Sequence, residues 1–175
     1  MQHPLSLFAH CPKCGASNFT ENDFKSKRCC SCGFVYYFNP AAATVAVITN
    51  SKGELLVATR SKEPAKGTLD LPGGFCDCNE SAEEGVMREV MEETGLKAVK
   101  TTYLFSIPNI YRYSGMDIHT VDMFFRCEVD ESAPLHANDD VQELQWTEIG
   151  SIDSSKFGLD SIRKGIERIV KEGLI

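Results

Sequence analysis

Three glutamates, Glu89, Glu92 and Glu93, occupy one short run, Arg88-Glu89-Val90-Met91-Glu92-Glu93-Thr94-Gly95-Leu96. Their i, i+3 and i+4 spacing puts the side chains within about a quarter to a third of a helix circumference. Like charges this close cost a few tenths of a kcal/mol per pair in an isolated helix, and acids near a helix C-terminus oppose its dipole. Helix propensity therefore does not account for the cluster, whereas a bound cation does. Hard carboxylate oxygens suit Mg²⁺ or Mn²⁺, ions that share their shell between a few carboxylates, water and substrate phosphate. The plain alternative is a solvated acidic face with Arg88 nearby. Leu71-Pro72-Gly73-Gly74 weighs against it, because Gly73 and Gly74 let backbone approach a ligand closely. Together these residues predict a metal-phosphate site, in which cations neutralise a diphosphate, lower the pKa of an attacking water and leave a carboxylate to take its proton.

A second chemistry is written in the cysteines. Five of the eight fall in the first forty residues. Cys11-Pro12-Lys13-Cys14-Gly15 and Cys29-Cys30-Ser31-Cys32-Gly33 are two CxxCG units with 14 residues between them. One tight turn presents two thiolates to one ion, and two such turns make a tetrahedral zinc site of Cys11, Cys14, Cys29 and Cys32. Cys29 and Cys32 are chosen because they keep the two-residue gap, which leaves Cys30 spare. Cys76 and Cys78 form a CxC without further ligands and read as free thiols.

The elements that must position these groups are legible in outline. Ser81 followed by Glu84 is a capping box that starts a helix, and Thr94-Gly95 stops it. Gly85 lies inside that helix, where glycine costs ~1 kcal/mol relative to alanine. Residues 44–49 and 54–60 are β-branched, apolar runs around a turn at 50–53 and predict a hairpin. Arg60 ends the second run, where it either reaches a phosphate or sits solvated at the strand edge; it is a candidate substrate contact. Residues 61–75 predict a loop. Strands follow at 99–107 and 118–129, with His119 and Cys127 as ordinary strand residues. Between them a predicted loop carries Tyr111, Arg112 and Tyr113, which either stack on a base and touch a phosphate or simply pack. Asp139, Asp140 and Glu143 precede a strand at Leu144-Gln145-Trp146. From Asp160 to Leu174, Ile162, Ile166, Ile169 and Val170 recur at helical spacing and predict an amphipathic packing helix. Phe34, Tyr36, Tyr37 and Phe38 are expected to anchor the cysteine module or a partner chain, and Asn39-Pro40 marks its boundary, giving 1–40 as a zinc ribbon and 41–175 as a second, larger unit.

The chain of 175 residues suits one well-cored domain plus a small appendage. Its net charge of -7 argues against a general nucleic-acid or anionic-membrane binder. The first forty residues hold four bases against two acids, a surplus that a four-thiolate zinc centre of charge about -2 cancels. No stretch approaches the ~18 to 20 apolar residues needed to span a bilayer. The N-terminus has neither a basic start nor an apolar core, so a cytoplasmic protein with reduced thiols is expected.

Gly74, five residues, Glu80, seven residues and then Arg88 through Leu96 are similar at every defined position to the Nudix box, GX5EX7REUXEEXGU with U aliphatic. The resemblance implies an α/β/α sandwich with a mixed β-sheet and hydrolysis of a nucleoside diphosphate linked to another moiety. It places the catalytic divalent ions on Glu89, Glu92 and Glu93, with Gly73 offering its carbonyl and Glu80 paired with Arg88 to fix loop against helix. Glu89 is the candidate base within the motif. Many relatives use a later segment, for which Glu143 is the first choice and Asp140 the second. A zinc ribbon ahead of a Nudix domain also resembles the NADH pyrophosphatase arrangement, although their SQPW-type array reads Ser106-Ile107-Pro108-Asn109 here. NAD(H), ADP-ribose, dinucleoside polyphosphates and nucleotide sugars are the implied substrates, and a homodimer is compatible. The rival reading is a non-catalytic nucleotide sensor or nucleic-acid binder on the same scaffold. The intact run of box glutamates favours the enzyme.

Overall fold

Along residues 41–48 successive side chains part to opposite faces, Val45 and Val47 one way, Ala46 and Ile48 the other, and all four are buried. A strand buried on both faces needs cover on both. The computed structural model, which describes residues 3–138 and 140–175, supplies one helix to each side. Strand β1 (Phe19–Asp23), β2 (Ser26–Cys29) and β3 (Val35–Tyr37) form a small antiparallel sheet at the N-terminus. Then come β4 (Ala41–Ile48), β5 (Glu54–Arg60), β6 (Leu69–Asp70), helix α1 (Ala82–Thr94), β7 (Ala98–Tyr113), β8 (Met116–Val129), β9 (Val141–Glu148) and helix α2 (Asp160–Glu172). One sheet has the order β4-β8-β7, with β4 parallel and β7 antiparallel to β8, and another the order β6-β5-β9, antiparallel throughout.

Consecutive residues thus serve two cores. Val45, Leu55, Val57 and Phe124 pack with Ile162, Ile166 and Ile169 of α2. Ala46, Ile48, Leu56 and Phe125 pack with Val86 and Val90 of α1. The result is an α/β/α sandwich with a mixed sheet. Cys127 belongs to the α1 core, where burial pushes its thiol up to about 12 and leaves it inert. Among the described residues no helix is long and apolar enough to cross a membrane.

Three expectations need correction. Residues 44–60 do not form a hairpin: the turn closes, with the Asn50 amide on the Glu54 carbonyl at 3.0 Å, but β4 and β5 enter different sheets. The reason is that both edges of β4 are taken. One pairs with β8, and the other meets residues 72–76, through Ala46 N–H to Pro72 O at 2.7 Å, Thr44 N–H to Gly74 O at 2.8 Å and Cys76 N–H to Ala42 O at 3.0 Å. Residues 108–113 are strand, not loop. Only Ser114 and Gly115 turn, both with positive φ (50° and 76°), as the tightest hairpins require. The strand runs through Pro108, which β7 tolerates opposite Val121 because it is an edge strand. Finally, Val170 is 49% exposed and lies off the buried stripe of α2, which is Ile162, Ile166 and Ile169.

Candidate active site

Helix α1 begins at the expected capping box, with the Ser81 hydroxyl accepting from Glu84 N–H and the Glu84 carboxylate from Ser81 N–H. It ends at Gly95 in the left-handed conformation, whose N–H donates to Met91 O. These caps fix the rotation of the helix and so the direction of its acids. A Cβ on Gly74 would stand 2.5 Å from Glu89 Oε1, and one on Gly73, at φ 150°, would stand 2.1 Å from Thr44 O. The two glycines therefore let the loop lie directly against β4 and the α1 carboxylates. Gly73 N–H donates to Glu93 Oε2 at 2.9 Å. Burial nevertheless pushes the Glu93 carboxyl up to about 8, with Glu89, Asp70 and Asp140 adding like charge.

Arg88 gathers the other acids. Its Nε and Nη2 donate to the two Glu80 oxygens at 2.9 and 3.0 Å, Nη2 also to Phe75 O at 3.0 Å, and Nη1 to Glu89 at 2.8 Å and Glu92 at 3.0 Å. The Arg88 guanidinium holds the Glu80 carboxyl below the usual range. Gly85 now has its explanation. A Cβ there would meet Glu80 Oε2 at 3.0 Å and Cys76 Sγ at 3.3 Å, so glycine makes room for the ion pair.

A cavity of about 340 Å³ opens beside this assembly. Gly73, Gly74, Arg88, Glu89 and Glu93 line it from the loop and α1. Arg60, Tyr111 and Asp140 line it from other elements, so eight of the expected residues come together. Arg60 is not solvated: its Nη1 pairs with buried Asp70 at 2.5 Å, its Nε donates to Pro64 O at 2.8 Å, and Nη2 lies 3.5 Å from the Tyr111 hydroxyl. Burial raises the Asp70 carboxyl against the pull of that guanidinium.

Other expected residues fall outside the lining. Glu92 is held at the rim by Arg88, and Glu80 serves as the structural partner behind it. Tyr113, 62% exposed, sits at the tip of the β7–β8 hairpin. Glu143 is exposed on β9 opposite Thr59, so the acid this segment sends to the cavity is Asp140. The Asp140 carbonyl accepts from Ser61 N–H at 2.8 Å and its carboxylate pairs with Lys62. Asp139 lies outside the described residues. Sequence reasoning missed Phe75, Asp70, Asn109 and Asp122, all of which line the cavity. Phe75 and Tyr111 meet edge to face, centroids 5.8 Å apart. The available signal for Asp122 was its parity with Phe124 in β8, a charge at an inward position.

The sulfurs of Cys11, Cys14, Cys29 and Cys32 all lie within 4.8 Å of one another, with Cys11–Cys32 at 3.8 Å and Cys14–Cys29 at 3.6 Å. Four thiolates ~2.3 Å from zinc stand ~3.8 Å apart at the corners of a tetrahedron, so the geometry fits. Backbone amides of Cys32 and Ser31 pull the Cys29 thiol down to about 7. Cys30 stays aside, 3.6 Å from Thr20 Oγ1. The α1 carboxylates are more widely spread. Among the described residues no three of them converge as the thiols do, with Arg88 set between Glu89 and Glu92. Their hard oxygens nonetheless suit a divalent ion that keeps water in its shell.

The family model of the NUDIX domain matches residues 39–168. The chain belongs to the Nudix family. This Nudix protein is 33% identical over 135 residues to an ADP-ribose pyrophosphatase of Methanocaldococcus jannaschii, covering 75% of this chain and 76% of that protein. It is 28% identical over 142 residues to an NAD-capped RNA hydrolase of Chromobacterium violaceum, covering 81% of this chain and 51% of the relative, about half its length. A Nudix hydrolase from Nitrosomonas europaea shares the fold, with TM-score 0.71 at 21% identity over 93% of this chain and 90% of the other. The Nudix chain is accordingly an enzyme of the pyrophosphatase and hydrolase class.

Proposed function

We propose that this Nudix enzyme hydrolyses the diphosphate bond of an ADP-ribose-like or NAD(H)-like dinucleotide by metal-activated attack of water. The observation that carries the reading is the joint exposure of Glu89, Glu93 and the Gly73-Gly74 backbone to one cavity that also holds the Phe75 and Tyr111 rings. Phosphates belong with the first group and a planar base with the second. Glu89 and Glu93, with Glu92 at the rim, would hold Mg²⁺ or Mn²⁺, which neutralises phosphate charge and makes bound water acidic. Glu80 and Arg88 hold loop and helix in register. Arg60, locked on Asp70, orients Tyr111. Asp140 is the candidate to accept the water's proton, in preference to Glu143. The names of the two relatives support this substrate class.

In the same reading residues 1–40 are a zinc ribbon, 41–175 the hydrolase domain, and the compartment a reducing cytoplasm. A homodimer stays compatible with the family likeness.

The test is to incubate the protein and Mg²⁺ or Mn²⁺ with ADP-ribose, NADH, NAD, diadenosine tetraphosphate, FAD and sugar nucleotides, then separate the products. Glu89→Gln with Glu93→Gln is expected to lower the rate at least about 100-fold. If no compound is cleaved faster than by that double variant, the proposal is wrong.

A further inference from the structure

The cavity has a second end. Glu89 and Glu93 enter it from α1, while Asp122 and Thr120 enter beside Leu159 and Ile162, on the face of the sheet that α2 covers. Asp122 is 5% exposed. Its Oδ1 accepts from the Thr120 hydroxyl at 2.5 Å, and its Oδ2 from the hydroxyl of Ser161, in the first turn of α2, also at 2.5 Å. Among the described residues no cation pairs with it. Arg60, the cation on this side, is engaged by Asp70, whose own negative charge is felt by the same region.

Two neutral hydroxyls leave a buried carboxylate short of partners, because it offers about four acceptor positions and is costly to bury without compensation. A clamp between β8 and α2 needs no charge there. Phosphate is the wrong occupant, since Asp122 and Asp70 would repel it. A metal is not favoured at this end either: both Asp122 oxygens already accept hydroxyl donors and the neighbouring acid, Asp70, is held by Arg60, so no second carboxylate is offered there. The apolar walls of Val45, Leu159 and Ile162 leave one fit, an uncharged, donor-bearing part of the ligand.

We propose that Asp122, steadied by Thr120 and Ser161, is a specificity-determining carboxylate that receives paired hydrogen-bond donors from the substrate's nucleoside, either a base amino group or a ribose cis-diol. This rests on the diphosphate reading only in placing the phosphates at the α1 end. Rejection of a ligand lacking such donors follows from the charge left unpaired, a stronger discriminator than lost apolar contact.

Three probes separate the sources: ADP-ribose, its hypoxanthine counterpart, which replaces the amino group by a carbonyl, and its 2′-deoxyadenosine counterpart. Affinities are measured by calorimetry in metal-free buffer, and kcat/KM with Mg²⁺. Wild type is expected to bind one of the two analogues about 10- to 100-fold more weakly than ADP-ribose. The hypoxanthine arm identifies the base, the deoxy arm the ribose. Asp122→Asn is expected to bring ADP-ribose down to the level of the weak analogue, and Ser161→Ala to narrow the gap. Equal binding of all three by wild type overturns the proposal. So does discrimination that survives in Asp122→Asn, or that is undiminished in Ser161→Ala should the first variant fail to fold. Binding discrimination without cleavage would sink the hydrolase reading and leave this one standing, and cleavage without discrimination would do the reverse.

Discussion

Arg88 donates to five oxygens on four residues, Phe75, Glu80, Glu89 and Glu92, and the most informative of them is Glu80, because that pair ties the loop to the helix. The folded Glu80 carboxyl titrates below its unfolded value of about 4.3, chiefly because of the Arg88 hydrogen bonds. Its contribution to stability is therefore complete above that unfolded value and is lost as pH falls through the lower folded value. Glu80→Gln is expected to melt below wild type at pH 7, and the gap between the two thermal curves should close below about pH 4. A gap that stays constant from pH 7 to pH 3 would contradict this. At this scale the sequence announced the box residues because their partners lie within twenty positions along the chain. Asp122 spoke only through its parity with Phe124; its partner Ser161 is 39 residues away, so the pairing itself had no local signal. The placement of Glu143 was hidden in the same way: an irregularity in the β5–β9 pairing sets Val141 opposite Arg60 and Glu143 opposite Thr59, so the two acquire opposite faces although they are two residues apart.

At the scale of elements, α1 was legible from end to end because a capping box and a left-handed glycine are local signals. The 44–60 segment was not, because both runs read correctly as strands while their pairing depends on which edges other strands have already filled. Helix α2 shows the same division. Its periodicity was plain, but whether the stripe ends at Ile169 or includes Val170 is decided by where the sheet stops. Ile166→Ala is expected to cost about 2 to 5 kcal/mol in urea unfolding, with a cavity left against Val57 and Phe124, whereas Val170→Ala should stay within about 0.5 kcal/mol. Comparable losses at the two positions would mean that α2 is rotated from its described setting.

For the whole molecule, the N-terminal module and the sandwich are held by different forces. The module's buried cluster is Cys11, Phe19 and Cys29, with Ala16 and Phe34 packed against it and Leu5 buried besides, so two of the cluster's three members are the proposed zinc ligands and the apolar core holding β1–β3 is small. Zinc binding, worth roughly 10 kcal/mol or more in small fingers, would then be most of its folding free energy. Metal analysis should find about one zinc per chain. Chelation, or Cys11→Ser with Cys14→Ser, should make residues 19–37 protease-sensitive while the α1 and α2 cores stay intact. Unchanged digestion after zinc removal would show that the metal is dispensable. The sandwich, in contrast, depends on a seam. Leu69 and Asp70 pair with β5, and residues 72–76 pair with β4, so one eight-residue strip is sewn to both sheets. Gly73 lies in the middle of that strip and holds Glu93 by its N–H. The strip is thus placed to act as a strain gauge: a slip of one sheet against the other would shift Gly73 and with it the Glu93 carboxylate, so that, if these acids hold the proposed ion, mechanical fit and metal affinity would be two readings of the same displacement.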